Sequence, residues 1–195
     1  MARRWQLGVI SLFLAVVTGI GGWIYYQQHH FKHFAVHEPG KMYRSAWLGP
    51  DALSQIIETY QIRAVVNLCN PDEMTPQQWD EERQTVKGAG AMLYAVPLPN
   101  SVNVDAKSWE PHLAIMDNKD NYPMLVHCQH GVTRTSMFLT AYDILHRHKT
   151  AVDSLAVQPT FGHERADVHV HTFAENFEKF ANERVAANPT AGRVQ

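Results

Sequence analysis

The chain has 195 residues, 45% of them hydrophobic and 18% charged, with 17 Lys and Arg against 19 Asp and Glu for a formal charge of −2. That apolar content excludes a disordered chain, and the near-balance of charge implies no basic face, so no nucleic-acid partner is expected. Two cysteines allow one bridge at most, which excludes a disulfide-stapled miniature.

Residues 5–26, WQLGVISLFLAVVTGIGGWIYY, carry no charged side chain. As a helix this run matches the roughly 30 Å hydrocarbon core of a bilayer, with Trp5 at one end and Trp23, Tyr25 and Tyr26 at the other as interfacial anchors. The bulky exit has no A-x-A pattern and fits an uncleaved anchor better than a cleaved signal. The sequence therefore predicts an N-terminal transmembrane helix within residues 1–26 and a single-pass membrane protein. Arg3, Arg4 and the amino terminus precede the span and Lys32 follows it. The positive-inside rule then puts the N-terminus in the cytoplasm and the following domain outside.

Residues 27–40, QQHHFKHFAVHEPG, read as a linker. Its His29, His30, His33 and His37 have no Cys and no acidic neighbour before Glu38, so they read as solvated residues and not as metal ligands. Residues 41–187 make one domain, with 188–195 as a flexible tail. Met42–Ala46 reads as a short strand, and Pro50–Tyr60 as a helix with Pro and Asp in its first turn. Ile62–Leu68 is a β-branched run suited to a buried strand. Gln77–Lys87 is a polar helix ending at Gly88. Met92–Leu98 is a strand stopped by Pro97 and Pro99. Ser108–Asn118 is a helix that tolerates Pro111 in its first turn. Tyr122–His127 is a third buried strand, Thr135–His148 an apolar helix, and Val168–Val185 a closing helix. Alternating strands and helices predict an α/β fold with a mostly parallel central sheet flanked by helices.

The stretch His127-Cys128-Gln129-His130-Gly131-Val132-Thr133-Arg134-Thr135 lies between an apolar strand and an apolar helix. A loop there turns backbone N–H groups and the positive end of a helix dipole into one small cup, which suits a tetrahedral dianion such as phosphate. Gly131 permits backbone conformations that a side chain forbids. Arg134 offers a planar fork for two phosphate oxygens. Cys128 lies at the base of the cup, where helix-end amides and the guanidinium favour its nucleophilic thiolate form. Thr135 can donate a hydrogen bond to the sulfur. Gln129, His130, Gly131, Val132, Thr133 and Arg134 are the expected phosphate-binding positions.

The pattern His127-Cys128-x5-Arg134-Thr135 resembles the signature of the cysteine-based protein tyrosine phosphatases, and the compact domain resembles their dual-specificity branch in its small bacterial, fungal and plant form. Met42-Tyr43-Arg44-Ser45-Ala46, Val65-Val66-Asn67-Leu68, Pro97-Leu98 and Pro123–Thr135 follow in the same order of blocks, over roughly residues 41–180. The resemblance implies hydrolysis of phosphate monoesters through a cysteinyl-phosphate intermediate, with no cofactor and no metal. It implies a phosphorylated protein or small phosphomonoester as substrate. It also gives His127 the role of orienting the loop through hydrogen bonds. With no fixed charge in the loop beyond Arg134, phosphotyrosine is the expected substrate.

The resemblance is incomplete at the general acid, an Asp that family members carry on the loop before the signature. The matching place, Pro99-Asn100-Ser101, has no acid. Asp105 is the nearest candidate, followed by Asp72 and Glu73. Some phosphatases of the superfamily share Asn-Leu-Cys at the strand end occupied here by Asn67-Leu68-Cys69, and in them that cysteine pairs with the catalytic one under oxidation. Cys69 is thus a possible redox partner, against the plainer reading of a buried small side chain. His163, His169 and His171 read as structural or surface histidines. Two other functions stay open: a phosphate-binding module with little turnover, and a sulfurtransferase, against which the five-residue spacing to Arg134 argues.

Overall fold

The computed structural model describes residues 13–23, 26, 29–158 and 168–187. Five strands form one sheet: β1 (Ala35–Glu38), β2 (Met42–Ala46), β3 (Ala64–Asn67), β4 (Met92–Ala95) and β5 (Met124–Cys128). Their spatial order is β1-β2-β5-β3-β4, with β1 antiparallel to β2 and every other pairing parallel. Strand β5 is therefore central, and its carboxyl end opens at the middle of the sheet edge, where parallel folds place their sites.

Among the described residues, 13–23, 26, 29 and 30 are helical (α1), and they are followed by α2 (Pro50–Tyr60), α3 (Pro76–Gly88), α4 (Ala106–Asp117), α5 (Thr133–His146), α6 (Ala151–Ala156) and α7 (Val168–Ala187). The ends follow from local chemistry. Helix α3 opens on a capping box: the Thr75 hydroxyl accepts from the Gln78 N–H at 3.2 Å and the Gln78 side chain accepts from the Thr75 N–H at 2.8 Å. Helix α2 begins at Pro50 and stops at Gln61, which adopts the left-handed conformation at φ 51°.

Strands β2, β3 and β5 are buried along their whole length, as a parallel sheet covered on both faces requires. Side chains alternate between the two faces. Met42, Ala64, Val66, Met124, Val126 and Cys128 join one core with Trp109 and Met116 of α4, Phe138 of α5, and Phe173 and Phe177 of α7. Tyr43, Val65 and Leu125 join the other, with Ile56 and Ile57 of α2 and Val86 of α3. Continuing the alternation, Asn67 and His127 belong to the α2/α3 side and Cys128 to the opposite side.

Two expectations are corrected. The transmembrane helix, and with it the membrane partner and the single-pass localisation, is overturned: among the described residues no helix is long and apolar enough to cross a membrane. Residues 1–12, 24, 25, 27 and 28 of the expected anchor and linker lie outside the described residues, as do the tail 188–195 and His163. Secondly, residues 35–38, read from sequence as linker, form the edge strand β1. Its polar side chains hold it to α5: His37 Nε2 lies 2.9 Å from Asp143 Oδ1, and Tyr142 Oη donates to Glu38 Oε2 at 2.7 Å. Burial pushes the Asp143 carboxyl up, but the hydrogen bond from His37 and the charges of Lys149 and Arg147 outweigh it and hold the group below its ordinary range.

Candidate active site

The loop 129–132 leaves the central strand β5 and enters α5 at Thr133. Gly131 adopts φ +66°, and a Cβ there would overlap the Ser45 carbonyl and the Ala46 amide, falling 2.5 Å from the latter nitrogen. The loop is therefore pressed against the end of β2, and only glycine fits. Behind it lies Arg44, fully buried. Its Nη2 donates to the Gly131 carbonyl at 2.6 Å and to Ser136 Oγ at 3.2 Å, and its Nη1 to Gln158 Oε1 at 2.6 Å. Gly131 thus gives its carbonyl to the guanidinium behind the loop and its N–H to Cys128 Sγ, 3.2 Å away.

Cys128 is 3% exposed at the base of this loop. Its sulfur accepts a second hydrogen bond from Thr135 Oγ1 at 3.3 Å. Arg134, the second residue of α5, donates through Nη1 to the Leu68 carbonyl at 2.9 Å and lies 2.6 Å from Glu73 Oε2 through Nη2. The fork is thereby braced by the turn Pro71–Glu73 that follows β3. Burial pushes the Glu73 carboxyl up, but hydrogen bonds from Arg134 and Asn70 prevail and hold it below the usual carboxylate range. Around the rim, Gln129 Nε2 donates to the Glu73 carbonyl at 3.3 Å, and His33 Nδ1 lies 2.7 Å from the His130 carbonyl. A carbonyl can only accept, so Nδ1 carries the proton.

On the other side of the sheet His127 Nε2 lies 2.6 Å from Glu82 Oε1 of α3, both buried. The second oxygen of Glu82 accepts from Asn67 Nδ2 at 2.6 Å, and Asn67 Oδ1 accepts from the Cys69 N–H at 2.8 Å. One carboxylate thus ties together the ends of β3 and β5, immediately before the two segments that carry the arginine's acceptor and the cysteine. Sequence reasoning missed Glu82, Asn67 and Arg44. A signal existed for each: Trp79, Glu82 and Val86 share one helical face, and Arg44 and Asn67 are polar residues inside apolar strands.

The two acid candidates are placed differently. Asp105 caps α4, its Oδ1 accepting from the Ser108 N–H at 2.9 Å and its Oδ2 from Ser108 Oγ at 2.6 Å. These hydrogen bonds from Ser108 hold its carboxyl below the ordinary range. Asp72 lies exposed in the Pro71–Glu73 turn, next to the partner of Arg134. Cys69 is fully buried and its thiol is free. Burial, with Cys128 nearby, pushes it up to about 12, so near neutral pH it is a thiol and not a thiolate. His169 Nε2 lies 3.1 Å from the Asn100 carbonyl, a contact between α7 and the loop after β4.

Residues 30–191 match the model of the tyrosine phosphatase family. No curated protein matches the sequence significantly. Among solved structures, the core catalytic domain of the PP-IP phosphatase SIW14 from S. cerevisiae, in complex with citrate, superposes with a TM-score of 0.63 at 24% identity, over 80% of this chain and 91% of that one. TpbA from P. aeruginosa gives 0.58 at 20% identity over 76% and 90%. A variant of TpbA in complex with phosphotyrosine gives 0.57 at 18% identity over the same shares. At these identities the likeness is one of fold.

Proposed function

Because this chain is a phosphatase that belongs to the tyrosine phosphatase family, we propose that it hydrolyses phosphotyrosine in two steps through a cysteinyl phosphate. The observation that carries this reading is the sulfur of Cys128, which receives the Gly131 N–H and the Thr135 hydroxyl inside a loop closed by Arg134. The sulfur attacks phosphorus, the bond to the leaving oxygen breaks, and that oxygen takes a proton from a carboxylic acid. Water then attacks the phosphocysteine, giving a proton to the carboxylate left by the first step, and as the S–P bond breaks the Thr135 hydroxyl stabilises the departing thiolate. Backbone amides of the loop and the helix dipole of α5 meet the charge on the equatorial oxygens. His127, held by Glu82, positions the strand end from which Cys128 projects.

Phosphotyrosine is favoured over highly phosphorylated inositols because residues 128–135 supply no fixed positive charge beyond Arg134. Side-by-side turnover of phosphotyrosine peptides, phosphoserine peptides and inositol phosphates tests it. Phosphotyrosine should be hydrolysed fastest, and faster turnover of inositol phosphates would overturn the assignment.

The proton on the leaving oxygen comes from Asp72. Asp105 has both oxygens engaged by Ser108 and an acid range shifted the wrong way for a donor. Asp72→Asn should therefore slow phenyl phosphate by about 10²-fold while leaving esters with activated leaving groups nearly unchanged. Asp105→Asn keeps a capping residue and should be mild on both substrates. Leaving-group dependence that moves with Asp105 would return the role to that residue. Cys69, a fully buried free thiol, serves as packing beneath the site.

A further inference from the structure

The loop's outer rim opens into a groove of about 370 Å³ lined by Lys32, Ala46, Trp47, Met74, Gln129 and His130, among others. A second groove, lined by His29, His30, Lys32, Trp47, Gly49 and Asp51, adjoins it. Both grooves share Lys32 and Trp47, so the two meet at these side chains and together form a track between the rim of the cup and the start of α2. The first groove falls at the lower end of the range of small-molecule sites, which run from about 300 to 1,000 Å³.

The charges along the track are unequal. Glu73, the carboxylate of the first groove, is committed to Arg134 at 2.6 Å. Lys32 has no carboxylate within ion-pair distance among the described residues. Its Nζ lies over the Trp47 ring, 5.7 Å from the centroid. The backbone from which it projects is held in place. The Ala46 N–H donates to the Lys32 carbonyl at 2.8 Å, and the next residue, His33, holds φ 54° while its ring contacts the His130 carbonyl at 2.7 Å. A left-handed backbone at a non-glycine residue persists only where its surroundings hold it. The segment before β1 is thus bound to both the end of β2 and the catalytic loop, and it presents one cation on an aromatic wall beside the cup.

We propose that this track binds the residues flanking the phosphotyrosine, and that Lys32 selects an acidic side chain among them. The proposal rests on the phosphotyrosine reading above and adds the sequence context. Trp47, Ala46 and Met74 give the apolar surface along which a peptide packs, and Lys32 gives the charge that distinguishes Glu from Gln or Lys. An exposed ion pair of this kind is worth a factor of about three to five in affinity, falling as salt rises.

The test compares kcat/KM for three phosphotyrosine peptides that differ in a single flanking residue, Glu, Gln or Lys, using the full chain. Wild type should prefer the Glu peptide over the Gln peptide about three- to fivefold, through KM, with the ratio shrinking toward one at high salt. Lys32→Gln should remove the ratio, Lys32→Glu should reverse it toward the Lys peptide, and Lys32→Arg should retain it. Lys179→Gln on α7 removes the same charge elsewhere and should leave the ratio at its wild-type value. Hydrolysis of all three peptides with a ratio that ignores Lys32 overturns this inference alone. A Lys32-dependent gain seen with inositol phosphates and absent from peptides also overturns it. Failure of wild type to hydrolyse any phosphotyrosine peptide instead overturns the reading beneath it, and this inference with it.

Discussion

Cys128→Ser should reduce turnover to background, a loss on the order of 10⁴-fold or more, while leaving the protein folded and able to bind inorganic phosphate. Serine is close in size to cysteine, so the position below the loop stays filled, and Gly131 N–H and Thr135 Oγ1 still find an acceptor there. What is lost is the nucleophile, because a serine hydroxyl does not ionise near neutral pH and its neighbour His127 is turned to Glu82 on the other side of the sheet. Phosphate release measured on a phosphotyrosine peptide, with phosphate affinity followed by calorimetry on the same preparation, separates the two effects. Wild-type turnover in this variant would end the cysteinyl-phosphate mechanism.

Arg134→Lys should lower kcat/KM by about 10²-fold or more and weaken phosphate binding as well. The guanidinium already spends two N–H groups on the Leu68 carbonyl and Glu73 and must still offer a fork to the substrate. A lysine ammonium is a point charge that can do one of these things but not hold the planar geometry for all of them. The brace itself has a separable effect. Glu73→Gln keeps an acceptor for Arg134 and should cost far less than the loss of the guanidinium. Steady-state kinetics on both variants, with thermal melts to show that each is folded, check the expected order; equal losses would make Glu73 a participant in the chemistry.

Strong local patterns carried through to the structure. The limits of Met42–Ala46 and Pro50–Tyr60 read from sequence coincide with β2 and α2, because Pro50 in the first turn and an apolar stripe define them without help from the rest of the chain. The loop 129–132 was legible for the same reason, since its residue types and spacing serve one chemistry. Strand β1 was hidden: four residues, AVHE, at the sheet edge show no long apolar run, and what fixes them is the reach of His37 and Glu38 to α5, over a hundred positions away. Helix α6, six residues long, was hidden in the same way. Residues 5–26 were legible as uncharged, and their composition alone led to a membrane span, whereas among the described residues no helix is long and apolar enough to cross a membrane. Glu82 shows the deepest limit. Its place on the helical face of Trp79 and Val86 marks it as inward-facing, but only the fold reveals that its partner beneath the sheet is His127.

The unequal setting of the two cysteines has a practical consequence. Cys69 is sealed from solvent and held as a thiol until about pH 12, whereas Cys128 sits at the floor of a loop shaped to admit an anion. A negatively charged alkylating reagent such as iodoacetate, applied near neutral pH to the folded protein, should therefore modify one sulfur and spare the other. Unfolding the chain first should make both sulfurs available. The difference in incorporated label between native and denatured samples then counts competent sites per chain, so that preparations, variants and storage conditions can be compared on the basis of intact cups instead of total protein.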